Sequence, residues 1–224
     1  MELIPDDVLE NSAVVANCRM NRERNLYGNN GYDVELRFDP MAFLRQASEK
    51  RPVRWLDLCC GTARALGEAA DIIAAEELPV EIVGVDLVGM FIASRSKQLS
   101  LVKASLTNWE PDERFDLITC VHGLHYLGDK LSTITRVRSW LTESGRFTAN
   151  MDMANIKIRD RKTSRVVGQS LRGLGFEIST AHKLIECHGH QDVQLPFEYL
   201  GADDQAGPNY TGQPAVDSHY QMLE

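Results

Sequence analysis

The sequence predicts an α/β domain built on a doubly wound, mostly parallel seven-stranded sheet, with an antiparallel edge and a helical N-terminal cap. Three observations lead there. From residue 53 onward, short apolar runs alternate with segments whose apolar residues recur at helical spacing. The last two apolar runs follow one another without a helix between them, which suits an antiparallel edge. The chain has 224 residues, enough for one core of ordinary size without disulfides.

The elements follow in order. Residues 1–50 read as a cap, with a weak helical stripe at Val8, Leu9, Val14, Val15 and Cys18. A stretch rich in turn formers, Arg22 to Tyr32, comes next. Asp39 then caps a helix with Pro40 at its first position, running towards Ala47. The main unit spans 51–200. Val53 to Leu58 is its first strand, turning at Cys59-Cys60-Gly61-Thr62 into a helix striped by Leu66, Ala70, Ile73 and Ala74. Glu81 to Asp86 is the second strand, followed by a short helix through Phe91 and Ile92. Leu99 to Leu106 and Phe115 to Val121 are the third and fourth. Leu131, Ile134, Val137 and Leu141 mark a helix stopped at Ser144-Gly145, and Arg146 to Met151 is a fifth strand. A helix striped by Val167, Leu171 and Leu174 ends at Gly175. Two final strands, Phe176 to Glu186 and Val193 to Leu200, are expected to meet in a hairpin at His188-Gly189-His190. Residues 201–224 form a turn-rich tail, in which Tyr210 and its neighbours suit a lid, a partner contact or draped chain equally.

Charge and composition narrow the function. Lys and Arg total 24 against 32 Asp and Glu, a net charge of −8, which disfavours a general grip on nucleic-acid backbone. No apolar run approaches a bilayer span, and the acidic start lacks the order of a signal peptide, so a cytoplasmic location is expected. Five cysteines, two of them adjacent, imply no disulfide framework.

Open α/β sheets bind ligands at the carboxyl ends of their strands, so the exit of the first strand is the place to look. There Asp57 precedes the tight turn around Gly61, and twenty-five residues on, Asp86 closes the second strand. A carboxylate at that point suits the two hydroxyls of a ribose. A pyrophosphate binder would carry Gly-x-Gly-x-x-Gly, which Cys59-Cys60-Gly61-Thr62-Ala63-Arg64 does not supply.

These residues resemble the first motif of the class I, Rossmann-like S-adenosylmethionine-dependent methyltransferases, Asp-x-Gly-x-Gly-x-Gly, with Cys59 and Ala63 in place of two glycines. The resemblance runs from about Trp55 to Phe147. It implies S-adenosyl-L-methionine as cofactor, Asp86 on the ribose, and Leu87 packed on adenine. It also puts Ser105 and Leu106 where the third strand usually presents an acid to the adenine amine. Cys59, Gly61, Asp57 and Val121 would surround the rest of the cofactor. In similar enzymes the N-terminal segment folds over the methionine end, and Tyr27 is the expected contact there. Arg19, Arg22 and Arg24 are further cations in that segment, with solvated pairing to Glu23 and Glu35 as the plainer reading.

His122, the first residue beyond the fourth strand, is a candidate general base, because imidazole titrates near neutrality. His125 is a second candidate, and both compete with a packing role. No metal site is expected, since neither His122 with His125 nor the Cys187, His188, His190 group has a second ligand pair at zinc spacing. The reading is a methyltransferase acting on a small molecule, with oxygen mildly preferred as acceptor. Two alternatives stand beside it: a non-methylating enzyme using the same cofactor, and a regulatory protein with a degenerate site. The oligomeric state is open, a homodimer being one option.

Overall fold

A computed structural model describes residues 2–16, 23–159 and 163–223. The cap comprises α1 (Asp6–Leu9), α2 (Ala13–Ala16), α3 (Tyr32–Leu36) and α4 (Pro40–Ser48). The main sheet and its helices follow as β1 (Val53–Leu58), α5 (Arg64–Ala75), β2 (Val80–Asp86), β3 (Leu99–Lys103), β4 (Phe115–Cys120), α6 (Lys130–Ser139) and β5 (Leu141–Asn150). The chain continues through β6 (Ile156–Ile158), α7 (Thr163–Gly173), β7 (Glu177–Ser179), β8 (Leu184–His188), β9 (Phe197–Asp203) and β10 (Asp217–Met222).

Seven strands form one sheet in the order β3-β2-β1-β4-β5-β8-β7. Pairing is parallel from β3 to β5, while β8 runs antiparallel between β5 and β7. Strand order reverses between β1 and β4, which opens a crevice at their carboxyl ends. Alternation along β1 divides the core. Val53 and Trp55 pack with α4 and α5 residues such as Leu44 and Leu66, whereas Leu56 and Leu58 pack with Ile134 of α6 and Leu171 of α7. Asp39 caps α4 as expected, accepting from the amides of Met41 and Ala42.

Four expectations about elements need correction. Phe91 and Ile92 are not helical. The Asp86 carboxylate takes the Val88 and Gly89 amides, Ile92 N–H bonds Thr62 O, and Met90 and Ile92 stay exposed, so no apolar face favours a helix there. The helix expected to reach Leu141 stops at Ser139, and β5 already begins at Leu141, with Ser144-Gly145 lying inside an irregular stretch of that strand. The run from Phe176 to Glu186 breaks into β7 and β8 around Lys183, whose φ of +54° turns the chain. No hairpin forms at His188-Gly189-His190, because Gly189 N–H bonds Gly145 O instead and the chain leaves the sheet.

The run expected at Val193 to Leu200 becomes β9 and joins a second, three-stranded sheet in the order β6-β10-β9. β10 lies within the residues read as a turn-rich tail. It pairs antiparallel with β9 and parallel with β6, and Lys130 holds it from below: the buried Nζ donates to Leu127 O, Val216 O and Ser218 Oγ at 2.7–2.8 Å. The first helix of the cap packs here rather than on the main sheet, where Leu9 and Val15 cluster with Tyr126, Ala202 and Val216.

Candidate active site

A cavity of about 170 Å³ lies in the crevice at the carboxyl ends of β1, β2 and β4. Its walls include Cys59, Asp86, Leu87, Leu106, Val121 and His122, all singled out from sequence. The turn after β1 takes the shape its motif requires. Cys59, Gly61 and Ala63 stand at φ +55°, +61° and +60°. Left-handed backbone costs a non-glycine residue roughly 1–2 kcal/mol, so Cys59 and Ala63 are held there against their own preference. Asp86 supports the turn directly, since its Oδ2 accepts the Gly61 amide at 3.1 Å while Oδ1 takes Val88 N–H at 2.9 Å.

Asp57 lies behind this turn, not in the cavity. It is fully buried and accepts hydrogen bonds from Tyr32 Oη at 2.7 Å and from the Thr119 hydroxyl, which itself accepts from Trp55 Nε1 at 2.8 Å. Burial pushes the Asp57 carboxyl up to about 7, against the pull of those two donors. The Cys59 thiol faces Cys120, and that contact together with burial holds it well above the ordinary thiol range. Such a thiol is a packing group rather than a nucleophile.

His122 sits at φ +57°, another left-handed non-glycine, with its ring 1% exposed. Its Nε2 stands 2.8 Å from Glu35 Oε2, and Glu35 Oε1 in turn receives Arg24 at 2.7 Å. The plainer reading of Arg24 as a partner of Glu35 is therefore what the structure contains, and the pair orients a histidine. Asn150 fastens both ends, donating to Glu35 O at 3.0 Å and accepting His122 N–H at 3.2 Å. With Nε2 facing a carboxylate, the proton resides on Nε2 and the lone pair on Nδ1. Tyr210 brings its hydroxyl to 3.5 Å from that Nδ1. His125 packs beside both rings, with centroids 5.5 Å from each. Burial, and then the charge of its neighbours, lowers the His125 pKa well below the usual imidazole range, and neither ring nitrogen has a partner among the described residues.

Three expected contacts lie elsewhere. Tyr27 is 39% exposed and donates to Asp39 Oδ1 at 3.1 Å, at the start of α4. Ser105 turns its hydroxyl to Glu10. His125 is behind His122 and does not line the cavity. Arg19 and Arg22 fall outside the described residues. Conversely, Glu10, Leu9 and Val15 of the first cap segment line the cavity, and so do Thr107, Tyr126 and Tyr199. No motif marks them, because each arrives through tertiary packing. Among the described residues no cluster of three or more His, Cys, Asp or Glu is arranged to hold a metal, and no helix is long and apolar enough to cross a membrane.

The model of a family described as a methyltransferase domain matches residues 32–184. The chain belongs to that family. The match covers the main sheet from α3 to β8 and includes both β1 and β2 exits. Solved structures similar to this methyltransferase-family chain include coclaurine N-methyltransferase bound to N-methylheliamine and S-adenosylhomocysteine. That comparison has 16% identity, a TM-score of 0.39, and covers 49% of this chain and 35% of the other. The CMeT domain of the citrinin polyketide synthase gives 12% identity and 0.47 over 63% and 48%. The N-methyltransferase NodS from Bradyrhizobium japonicum WM9, in complex with S-adenosyl-L-homocysteine, gives 16% and 0.42 over 65% and 82%. The chain thus spans half or less of the first two proteins. No curated protein matches it.

Proposed function

We propose that this chain is an S-adenosyl-L-methionine-dependent methyltransferase acting on a small molecule, with a hydroxyl as acceptor and His122 as its general base. The observation that carries the reading is the cavity itself: Asp86 at the exit of β2, apolar Leu87 and Leu106 nearby, and an oriented His122 all open on one space. These residues fit an adenosyl group. A carboxylate suits the ribose hydroxyls, the two leucines suit the faces of a flat base, and the Gly61 turn brings backbone close without a Cβ.

When bound, the cofactor supplies an electrophilic methyl group on a sulfonium. The protein's part is to align the acceptor and take its proton. His122 suits the second task. Glu35 and Asn150 fix its ring, and Nδ1 is left to accept a proton from a hydroxyl at the place where Tyr210 Oη now stands. Tyr27, Asp57 and Gly61 act in this scheme through the walls, by holding α4 and the β1 turn, rather than by lining the cavity. The acidic net charge agrees with a small acceptor rather than a nucleic acid.

Calorimetry with S-adenosyl-L-homocysteine, followed by mass analysis of a panel of phenols, acids and amines offered with the cofactor, tests the reading. Binding and a product heavier by one methyl are expected. A changed product of unchanged mass would favour a non-methylating enzyme, and absence of binding would leave a regulatory protein with a degenerate site. His122→Ala should lower turnover by roughly 10²–10⁴, the usual worth of a general base, with cofactor affinity kept. Undiminished turnover would return His122 to packing.

A further inference from the structure

The exit of β3 carries a carboxylate that its own sequence does not encode. Glu10, directly after α1, reaches over the cavity, and its Oε1 accepts from the Ser105 hydroxyl and from Thr107 Oγ1, the latter at 3.1 Å. Ser105 Oγ is itself fixed by accepting Thr107 N–H at 3.0 Å. Glu10 lines the cavity together with Leu87, Leu106 and Thr107. Both hydroxyls use one carboxylate oxygen, and no partner for the other is seen among the described residues. A half-buried carboxylate beside apolar side chains is costly unless a donor meets it, so its remaining oxygen marks where a ligand's N–H belongs.

We propose that Glu10 reads the nucleobase: its free oxygen accepts from the exocyclic amine of an adenine held between Leu87 and Leu106. This inference rests on the proposed cofactor site. Adenine offers an N–H₂ donor at this edge, whereas a 6-oxo purine offers an acceptor at the same position. Against a carboxylate the oxo group meets repulsion and leaves two acceptors unpaired, and a site built around a hydrogen bond rejects such an analogue strongly. Ser105 and Thr107 are positioning residues, which aim Glu10 and do not touch the base. The segment that chooses the base is then the N-terminal arm, packed on the Ala202 and Val216 side of the cavity, and not the main sheet.

The test is calorimetry of the full chain with S-adenosyl-L-homocysteine and with S-inosyl-L-homocysteine, its 6-oxo counterpart. The parent chain should bind the adenosyl compound at least tenfold more tightly. Glu10→Gln, whose amide can accept from one base or donate to the other, should bring the two affinities within about threefold. Ser105→Ala should shrink the preference while keeping its sign. Equal affinities in the parent chain overturn the proposal and leave the cofactor site standing. Equal weakening of both compounds in Glu10→Gln also overturns it, since Glu10 would then only staple α1 to β3. Binding of neither compound to the parent chain removes the cofactor site, and this inference with it.

Discussion

His122 Nε2 lies 2.8 Å from Glu35 Oε2, although 87 positions separate the two residues. The contact assigns a tautomer: Nε2 protonated, Nδ1 carrying the lone pair. Nitrogen NMR of the labelled chain should report that form for His122, and Glu35→Ala should turn it into an averaged mixture. The His122 hydrogen bond is also the largest cause holding Glu35 below the ordinary carboxyl range, ahead of the opposing effect of burial. The Glu35 carboxyl signal in His122→Ala should therefore titrate at higher pH. A Glu35 titration unmoved by that substitution would show that the pair is not coupled.

Gly123 follows His122 where the exit of β4 meets the turn after β1. A Cβ there would lie 2.4 Å from Cys59 Cβ and 2.7 Å from Cys120 Sγ, so the two segments touch because Gly123 has no side chain. Gly123→Ala must push the Cys59 turn away. Overpacking of this kind costs about 1–3 kcal/mol, and the turn it displaces is the one Asp86 supports. Chemical denaturation should show that loss, and calorimetry should show weaker S-adenosyl-L-homocysteine binding. A variant as stable and as tightly binding as the parent would mean the turn has room that the contacts deny.

Asp57 makes stability depend on pH. Its folded carboxyl titrates at about 7, raised first by burial, whereas an unfolded one titrates near ~3.9. Between roughly pH 4 and 7 the folded chain holds a proton that the unfolded chain has released. This contribution to stability is therefore complete below about pH 4, falls as pH rises, and is gone above about 7. Melting temperatures of Asp57→Asn should vary less across pH 5–7 than those of the parent. An identical slope in both chains would assign the dependence to other groups.

Lys130 fastens the second sheet. Its Nζ satisfies two buried backbone carbonyls and the Ser218 hydroxyl, so Lys130→Ala strips three acceptors of their donor and opens a void. A loss of about 3 kcal/mol or more is expected from those two effects together. Limited proteolysis should then cut near β10 sooner than in the parent chain. Unchanged stability and unchanged cleavage would show that β10 is held by its strand pairing alone.

Most of the main sheet was legible in the sequence because its signals are local. Apolar runs of strand length, a helix start at Asp39-Pro40 and a tight turn at Gly61 each depend on residues near in the chain. The same locality explains the failures. Phe91 and Ile92 look helical until the Asp86 carboxylate captures the amides that would begin the turn, and the short runs at 156–158 and 217–222 become strands only by pairing with each other and with β9.

The site divides along the same line. By itself the sequence determined the fold class, the Asp57-to-Ala63 turn, and the positions of Asp86, Leu87, Leu106 and His122 at strand exits, because a strand's end fixes where its next residue points. Only the tertiary structure decided which carboxylates serve that site. Asp57 is withdrawn by Tyr32 and Thr119, while Glu10 and Glu35, ordinary surface-type acids in the sequence, are carried in by the cap. Their roles come from hydrogen bonds between residues far apart in the chain, and such bonds leave no periodic or local trace for a sequence to show.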